Sequence, residues 1–365
     1  MNIINFIFIL LLNLIFSQNI FANAIKYPLV EIDNYSTADY NAYPQNWGIT
    51  QTQDGKIFFS NQQGVIVFDG IKWKFINTKE EKPARSIVTG VDGKVIVGTV
   101  GDFGELIGSN KSRLKYKTLV PDNNNILKGD IVYQVLTLQK NYILARTKKG
   151  IFELKNNILT KLPNPQNLKF GFMTYINKEL YVFALKKGIY KFTNNKFILI
   201  PGTQVLNEKS KQVYFMNGIK EHLFIVTRRS GIYILKNDFL KKINVTNKLF
   251  NKSTLYRAIQ LKNGTFAIGS YDGLFILNKN FKVTNHFNHE NGLIDDNVRS
   301  IFEDIDGNLW VGLNNGISKI KLNSPIRHFS TYKSRINGRT RNAEIFNDTL
   351  YVATSNGIRK SVISN

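Results

Sequence analysis

Hydrophobic positions along this chain fall in short runs broken by polar turns, and the runs follow one another in a fixed order. An apolar run, a polar turn, a second apolar run, a glycine and a third apolar run recur around Gly64, Gly104, Gly150, Gly188, Gly231, Gly273, Gly316 and Gly357. The intervals between these glycines are 40, 46, 38, 43, 42, 43 and 41 residues. The clearest copy reads NVRSIFEDIDGNLWVGLNNGISKIKL, from Asn297 to Leu322. In it, strand a is expected over Val298 to Glu303, an a–b turn over Asp304-Ile305-Asp306-Gly307, and strand b over Leu309-Trp310-Val311-Gly312, with apolar and polar positions alternating. A tight turn ending in glycine leads to strand c, Ile317 to Ile320, because turns of this length need a residue with positive φ. The stretch before the next copy supplies a more variable strand d.

A period of roughly 40–50 residues made only of short strands predicts an all-β propeller of four-stranded antiparallel blades. Eight a-b-c units are countable, near residues 46–68, 84–106, 131–154, 171–192, 212–235, 255–277, 297–320 and 340–361. Leu29 to Tyr35 reads as a strand d with no a-b-c before it. Such a strand can complete the last blade and remove two open sheet edges at once. Closure on the seventh unit gives seven blades and a surplus repeat, and closure on the eighth gives an eight-bladed ring.

Phe6 to Phe16 is apolar except for Asn13, and Ala22-Asn23-Ala24 supplies a small-x-small cleavage pattern, so residues 1–24 read as a signal peptide cut after Ala24. The run is shorter than the roughly 20 apolar residues that span a bilayer. The mature chain is therefore expected to be periplasmic or secreted. With no cysteine, it has neither a disulfide framework nor a lipidated N-terminal Cys. Charge changes the picture more: 49 Lys+Arg against 26 Asp+Glu gives +23, a field that favours anionic partners. Codon bias toward Asn, Ile and Lys is the competing explanation, and nucleic acid is not expected as the partner of an exported chain.

The seventh unit resembles the two-component regulator propeller repeat. Gln45-Asn46-Trp47, Phe58-Phe59-Ser60-Asn61-Gln62-Gln63-Gly64-Val65, Phe68-Asp69-Gly70 and Trp73 resemble the opening blade of such sensors, and Gly101-Asp102-Phe103-Gly104-Glu105-Leu106 resembles their second blade. Asn323-Ser324-Pro325-Ile326, followed by Gly338 and Leu350 to Gly357, is similar to the passage into a second propeller. The resemblance implies an extracytoplasmic ligand-sensing region, seven blades over 25–322, and at 323–365 an eighth repeat that begins a truncated second propeller. It also implies a membrane signalling protein as the route of output.

Two sets of positions are expected on one face of the disc: the start of strand a and the b–c turn. Counting back 16, 17 or 19 residues from each turn glycine gives Trp47, Arg85, Tyr133, Phe172, Tyr214, Arg257 and Arg299. The b–c turns of three consecutive blades carry Arg146, Lys148 and Lys149, then Lys186 and Lys187, then Arg228 and Arg229. Arginine presents a planar fork to carboxylate or sulfate, and aromatic faces suit the flat side of a sugar. An anionic oligosaccharide is the expected ligand. The alternative is that the strand-a aromatics pack between blades and the basic turns are merely solvated.

Catalytic and metal chemistry are not expected, and no cofactor is predicted. Asp304-Ile305-Asp306-Gly307-Asn308 opens like a calcium loop, but loop position 12 falls on Asn315, where a Glu is needed. His286 and His289 are near each other without carboxylates at metal spacing. Asp102 with Glu105 is the one carboxylate pair considered for a propeller enzyme. The reading is a ligand-binding sensor propeller, with a protein-interaction scaffold and a polysaccharide-active enzyme as alternatives.

Overall fold

A computed structural model describes residues 29–108, 113–121, 126–219, 222–328, 339–347 and 349–362. The signal-peptide reading and Gly338 lie outside these residues. Two compact units are present, one formed by Ile32–Ile320 and the other by the segments 1–31 and 321–365.

The unit Ile32–Ile320 is a seven-bladed β-propeller of four-stranded antiparallel sheets. Blade 1 runs through Asn46–Gln51, Ile57–Asn61, Val65–Phe68 and Trp73–Ile76 as strands a to d. Strands a of blades 2 to 7 begin at Ser86, Gln134, Phe170, Val213, Leu255 and Val298. Each strand a lies beside strand a of the next blade all the way round, so these strands form the inner wall of the disc. The closing strand is Ile32–Tyr35, which pairs with strand c of blade 7 from Ile32↔Ile320 to Tyr35↔Ile317. Closure therefore falls on the seventh unit. The stretch Leu29 to Tyr35 is not one strand: Leu29–Val30 pairs with Arg327–His328 within the other unit, and Glu31 separates the two pairings.

Strand b does not alternate as its sequence suggests. Leu309–Leu313, Ile57–Asn61 and Phe266–Ser270 are buried at every position. A strand in mid-blade is covered on both faces by neighbouring blades, so small residues such as Gly312 belong to the packing. A Cβ on Gly312 would lie 2.2 Å from Ser300 Oγ and 2.9 Å from the Asn46 carbonyl of blade 1. The closure is built from rings. Tyr35 stacks on Trp310 at 5.9 Å and meets Trp73 edge-on at 5.1 Å, while Phe68 lies 4.7 Å from Trp73. Trp310, 1% exposed, donates from Nε1 to Asp304 Oδ2 at 2.9 Å. The Asp304 carboxylate also accepts from the Asp306 and Asn308 backbone, so it serves the a–b turn.

Register corrects one of the eight glycines. In blade 7 the turn closes with Leu313 N–H donating to the Gly316 carbonyl, and in blade 2 the same bond runs from Thr99 to Asp102. Asp102, not Gly104, holds the turn position there. The left-handed conformation sits one residue earlier, at Gly101 with φ 75°, which frees the next position from the need for glycine. Gly104 lies within strand c of that blade, Phe103–Ile107. The Asp102–Glu105 pair is not formed either: Asp102 accepts from Thr118 Oγ1 at 2.6 Å and Tyr116 Oη at 3.1 Å, whereas Glu105 pairs with Lys94 at 3.4 Å.

In the second unit, Thr340–Phe346, Thr349–Thr354 and Gly357–Val362 form a three-stranded antiparallel sheet whose first strand is exposed throughout. Glu31 bonds Lys321 and Ser324.

Candidate functional site

Strand a of most blades opens with a β-bulge, one extra residue set between two ladder pairs. Trp47 lies between Asn46↔Asn61 and Gly48↔Ser60, Tyr214 between Val213↔Thr227 and Phe215↔Val226, and Arg299 between Val298↔Leu313 and Ser300↔Gly312. Arg85 and Tyr133 stand at the same register, donating backbone N–H groups to the carbonyls of Gly98 and Arg146. A bulge bends the strand and re-aims its side chain, which is why bulges gather beside binding sites.

The register moves two predicted positions. In blade 6 the bulge residue is Tyr256, and Arg257 is the next, paired with Gly269. In blade 4, Gly171 and Phe172 fall between the Phe170↔Ala184 and Met173↔Val182 pairs, and Gly171 matches the ring position. Phe172 packs between blades, 5.6 Å from Phe215 and against the core around Met216 and Phe183. It is not a mouth residue. Once Asp102 replaces Gly104, each of the seven pairs Trp47/Gly64, Arg85/Asp102, Tyr133/Gly150, Gly171/Gly188, Tyr214/Gly231, Tyr256/Gly273 and Arg299/Gly316 is 17 residues apart. The uneven offsets are the sequence signal of these shifts: 16 marks the ring positions at Phe172 and Arg257, and 19 marks the turn position at Gly104.

The b–c turns share this face with the loops that enter strand a. Backbone bonds join Arg228 to Gln212, Arg229 to Ser210, Leu185 to Lys169, Tyr271 to Thr254 and Asn314 to Asn297. Lys148, Lys149, Lys186, Lys187 and Arg229 are exposed there, and Arg228 is half-buried. Lys149 donates from its backbone to Asp130 Oδ2 at 3.0 Å and from Nζ to the Lys128 carbonyl at 3.1 Å. Arg229 Nε donates to Thr254 Oγ1 at 3.0 Å. Beside these turns a groove of about 430 Å³ is lined by Lys148, Lys149, Lys161 and Lys169 with Asn164 and Asn167.

Guanidiniums and rings converge inward of the turns. Arg85 lies flat on Trp47, 3.5 Å from its ring centre. Arg257 and Arg299 approach Tyr256 at 4.8 and 5.4 Å, and Arg299 also lies 5.4 Å from Tyr271. Arg146, the last residue of strand b in blade 3, sits 5.5 Å from Tyr133, with Lys148 at 5.9 Å from the same ring. Burial pushes the Arg146 guanidinium down to about 10, and the charge of Arg257 adds to the effect. Arg85 is lowered too, by burial first and partly by Arg299, while nearby Tyr256 and Tyr133 oppose the change. Burial raises the Tyr214 hydroxyl. All eight ion pairs among the described residues use lysine, so none of these arginines has a carboxylate partner there.

A cavity of about 870 Å³ lies away from this cluster, between the a–b turns of blades 1 and 2. Its walls are apolar, from Phe58, Val67, Phe75, Val95 and Leu106, and its rim includes the paired Asp69 and Lys74, 3.1 Å apart. Its charged side chains include Asp54, Lys56 and Arg113 as well, and Asp54 and Lys56 pair with each other, so it lacks the gathered guanidiniums and stacked rings of the mouth. The axial mouth has those groups and is the better candidate for recognition.

The molecule is thus a seven-bladed propeller with a basic, aromatic-lined axial mouth. The model described as "Two component regulator propeller" matches residues 292–315, the entry loop, strands a and b and the b–c turn of blade 7. Similar solved structures include the extracellular domain of BT4673 from B. thetaiotaomicron, described as a one component and as a hybrid two component system. It is 18% identical with a TM-score of 0.66, over 91% of this chain and 46% of that one. The extracellular domain of BT3049, a hybrid two component system of the same organism, is 16% identical with a TM-score of 0.68, over 91% of this chain and 48% of that one. Virginiamycin B lyase from Staphylococcus aureus is 13% identical with a TM-score of 0.59, over 80% of this chain and 99% of that one. The chain spans less than half the length of the two B. thetaiotaomicron domains. No curated protein matches it. No helix among the described residues is long and apolar enough to cross a membrane.

Proposed function

We propose that this chain is the extracytoplasmic ligand-binding region of a bacterial signalling system, that its axial mouth receives an anionic oligosaccharide, and that a membrane signalling protein carries the output. The observation that carries the reading is the gathering of Arg85, Arg146, Arg257 and Arg299 among Trp47, Tyr133 and Tyr256, with no carboxylate paired to any of them among the described residues. Uncompensated cations at a concave site attract anions from solution, and stacked rings supply the apolar face a sugar needs. The exposed Lys148, Lys149, Lys186 and Lys187 extend the positive surface outward from the axis. An N-terminal apolar stretch and extracellular domains among the similar structures support the placement outside the cytoplasm. At this identity the likeness to a lyase speaks to fold alone.

The test is retention on a heparin column. Changing Lys148, Lys149, Lys186, Lys187, Arg228 and Arg229 together to Ser is expected to move elution to much lower salt, since the salt dependence of binding a polyanion grows with the number of cations that engage it. Elution at unchanged salt would overturn the reading.

A further inference from the structure

Three of the mouth arginines carry a buried Nε with no hydrogen-bond partner: Arg146, Arg228 and Arg299. Leaving a buried N–H unbonded costs about 1–3 kcal/mol, and more when the group is charged. Native proteins keep few such groups, and several gathered at one site ask for an external acceptor.

The remaining donors of the cluster are only weakly engaged. Arg146 Nη1 reaches the Phe170 carbonyl and Arg257 Nη1 the Tyr214 carbonyl, both at 3.5 Å, the outer limit of a hydrogen bond. Arg299 Nη2 is better held, donating to Asn314 Oδ1 at 3.0 Å. Arg146 comes from blade 3 and leans toward blade 4, while Arg257 comes from blade 6 and leans toward blade 5. Blade 4 has Gly171 at the ring register, so between blades 3 and 6 that register carries only the Tyr214 side chain of blade 5. Both guanidiniums thus turn toward the starts of strands a in the neighbouring blades 4 and 5, one from blade 3 and the other from blade 6.

We infer that Arg146 and Arg257, backed by Arg299, form a preformed axial subsite for a tetrahedral dianion, sulfate or phosphate, either free or as an ester on a sugar. Two forks, one from blade 3 and one from blade 6, set the preference. A carboxylate has two oxygens in one plane and is satisfied by a single fork. Donors arriving from two separate blades need acceptors pointing in more than one direction, which a tetrahedral oxyanion provides, and a double negative charge offsets two cations. The subsite rests on the reading of the mouth as an anion receptor, and the two are tested separately.

The experiment is calorimetric titration of the full chain with sodium sulfate, sodium phosphate and sodium acetate at matched ionic strength in chloride. Saturable binding of sulfate or phosphate at one site is expected, with acetate at least about tenfold weaker, in line with the loss of one charge-assisted hydrogen bond. Arg146→Gln and Arg257→Gln should each weaken sulfate by about tenfold or more. Arg146→Lys, which keeps the charge and loses the fork, guards against misfolding and should also weaken it, with an unchanged circular dichroism spectrum. Acetate binding as tightly as sulfate, or sulfate affinity unmoved in all three variants, overturns the subsite. A sulfated heparin disaccharide and its desulfated counterpart separate the sources. Preference for the sulfated sugar, with inorganic sulfate competing, assigns the ester, and equal indifference to both sugars with sulfate still bound assigns the free ion. Sulfate binding abolished in Arg146→Gln while the six-serine variant still elutes normally from heparin would retain the subsite and remove the oligosaccharide reading.

Discussion

The seam between blades 7 and 1 and the axial mouth are made from similar residues, aromatic rings beside polar groups, and they are arranged to opposite ends. At the seam the polar groups find protein partners. Ser300 Oγ donates to the Asn46 carbonyl at 3.1 Å, Asn46 Nδ2 to the Gly316 carbonyl at 3.3 Å, and Ser318 Oγ to Asn34 Oδ1 at 2.6 Å. These bonds cross the point where the ring closes, and Tyr35, Trp73 and Trp310 pack over them. At the mouth the rings face cations instead, and among the described residues none of the arginines has a carboxylate partner. Neutral, satisfied contacts hold a fold together, whereas like charges drawn into one place oppose it. One region therefore stabilises the disc, and the other is kept at some cost to it.

The largest expected effect lies at the seam. Trp310→Ala removes a fully buried indole, its bond to Asp304 and its packing against Tyr35 and Phe59. A loss of about 3–5 kcal/mol is expected for such a truncation, read as a drop in the urea midpoint. Deletion of 25–40, which removes the closing strand Ile32–Tyr35, should go further and abolish a cooperative melt. A normal transition in that deletion would remove the closure argument and with it the contrast between the two regions.

Much of this contrast was legible in the sequence, though unevenly. The seam could be read because strand period, turn glycines and an orphan strand d are local patterns, and a closed ring follows from them. Five of the seven ring positions were also legible: Trp47, Tyr133, Tyr214 and Arg299 stand at a constant distance from their turn glycines, and Arg85 keeps it once the blade 2 turn is placed at Asp102. The two misplaced positions share one cause. A bulge sets two residues against one, so Tyr256 and Arg257, or Gly171 and Phe172, are adjacent in sequence yet face different surroundings. Preferring the arginine or the aromatic at each pair overrode the spacing. The role of Arg146 was legible only as one more basic residue near a turn, since its lean toward the Phe170 carbonyl of blade 4 depends on blade-to-blade packing that no local pattern encodes.

A smaller effect of opposite sign is expected at the mouth. Arg146→Met removes a charge whose guanidinium burial and Arg257 hold at about 10, and keeps most of the apolar stem. In anion-free buffer at neutral pH this should raise stability by about 1 kcal/mol, as removal of an uncompensated buried charge does. Added sulfate should then stabilise the parent chain more than the variant, since a ligand stabilises only the form that binds it. Melting curves with and without sulfate measure both. A destabilised variant in anion-free buffer would mean that the arginine serves the fold, and the mouth would no longer differ from the seam.

The smallest effect sharpens the seam side by pH. Asp69 sits in the c–d turn of blade 1, between Phe68 and Trp73, whose rings pack 4.7 Å apart in the closure. Its Oδ1 accepts the backbone N–H groups of Ile71 at 3.1 Å and Lys72 at 2.8 Å. The Lys72 bond is the main cause that lowers its pKa from 3.8 to about 2. The folded chain thus holds this carboxylate ionised where the unfolded chain would protonate it. Its contribution is fully present above about pH 4 and fades as pH falls toward about 2. The side chain is partly exposed, so solvent screening leaves about 1 kcal/mol. Asp69→Asn should lower stability by about that much at pH 7 and leave the two chains nearly equal near pH 2, by urea titration at each pH. A difference that stays constant down to pH 2 would mean that the turn depends on the shape of the side chain rather than its charge, and the seam would owe nothing to ionised groups at this turn.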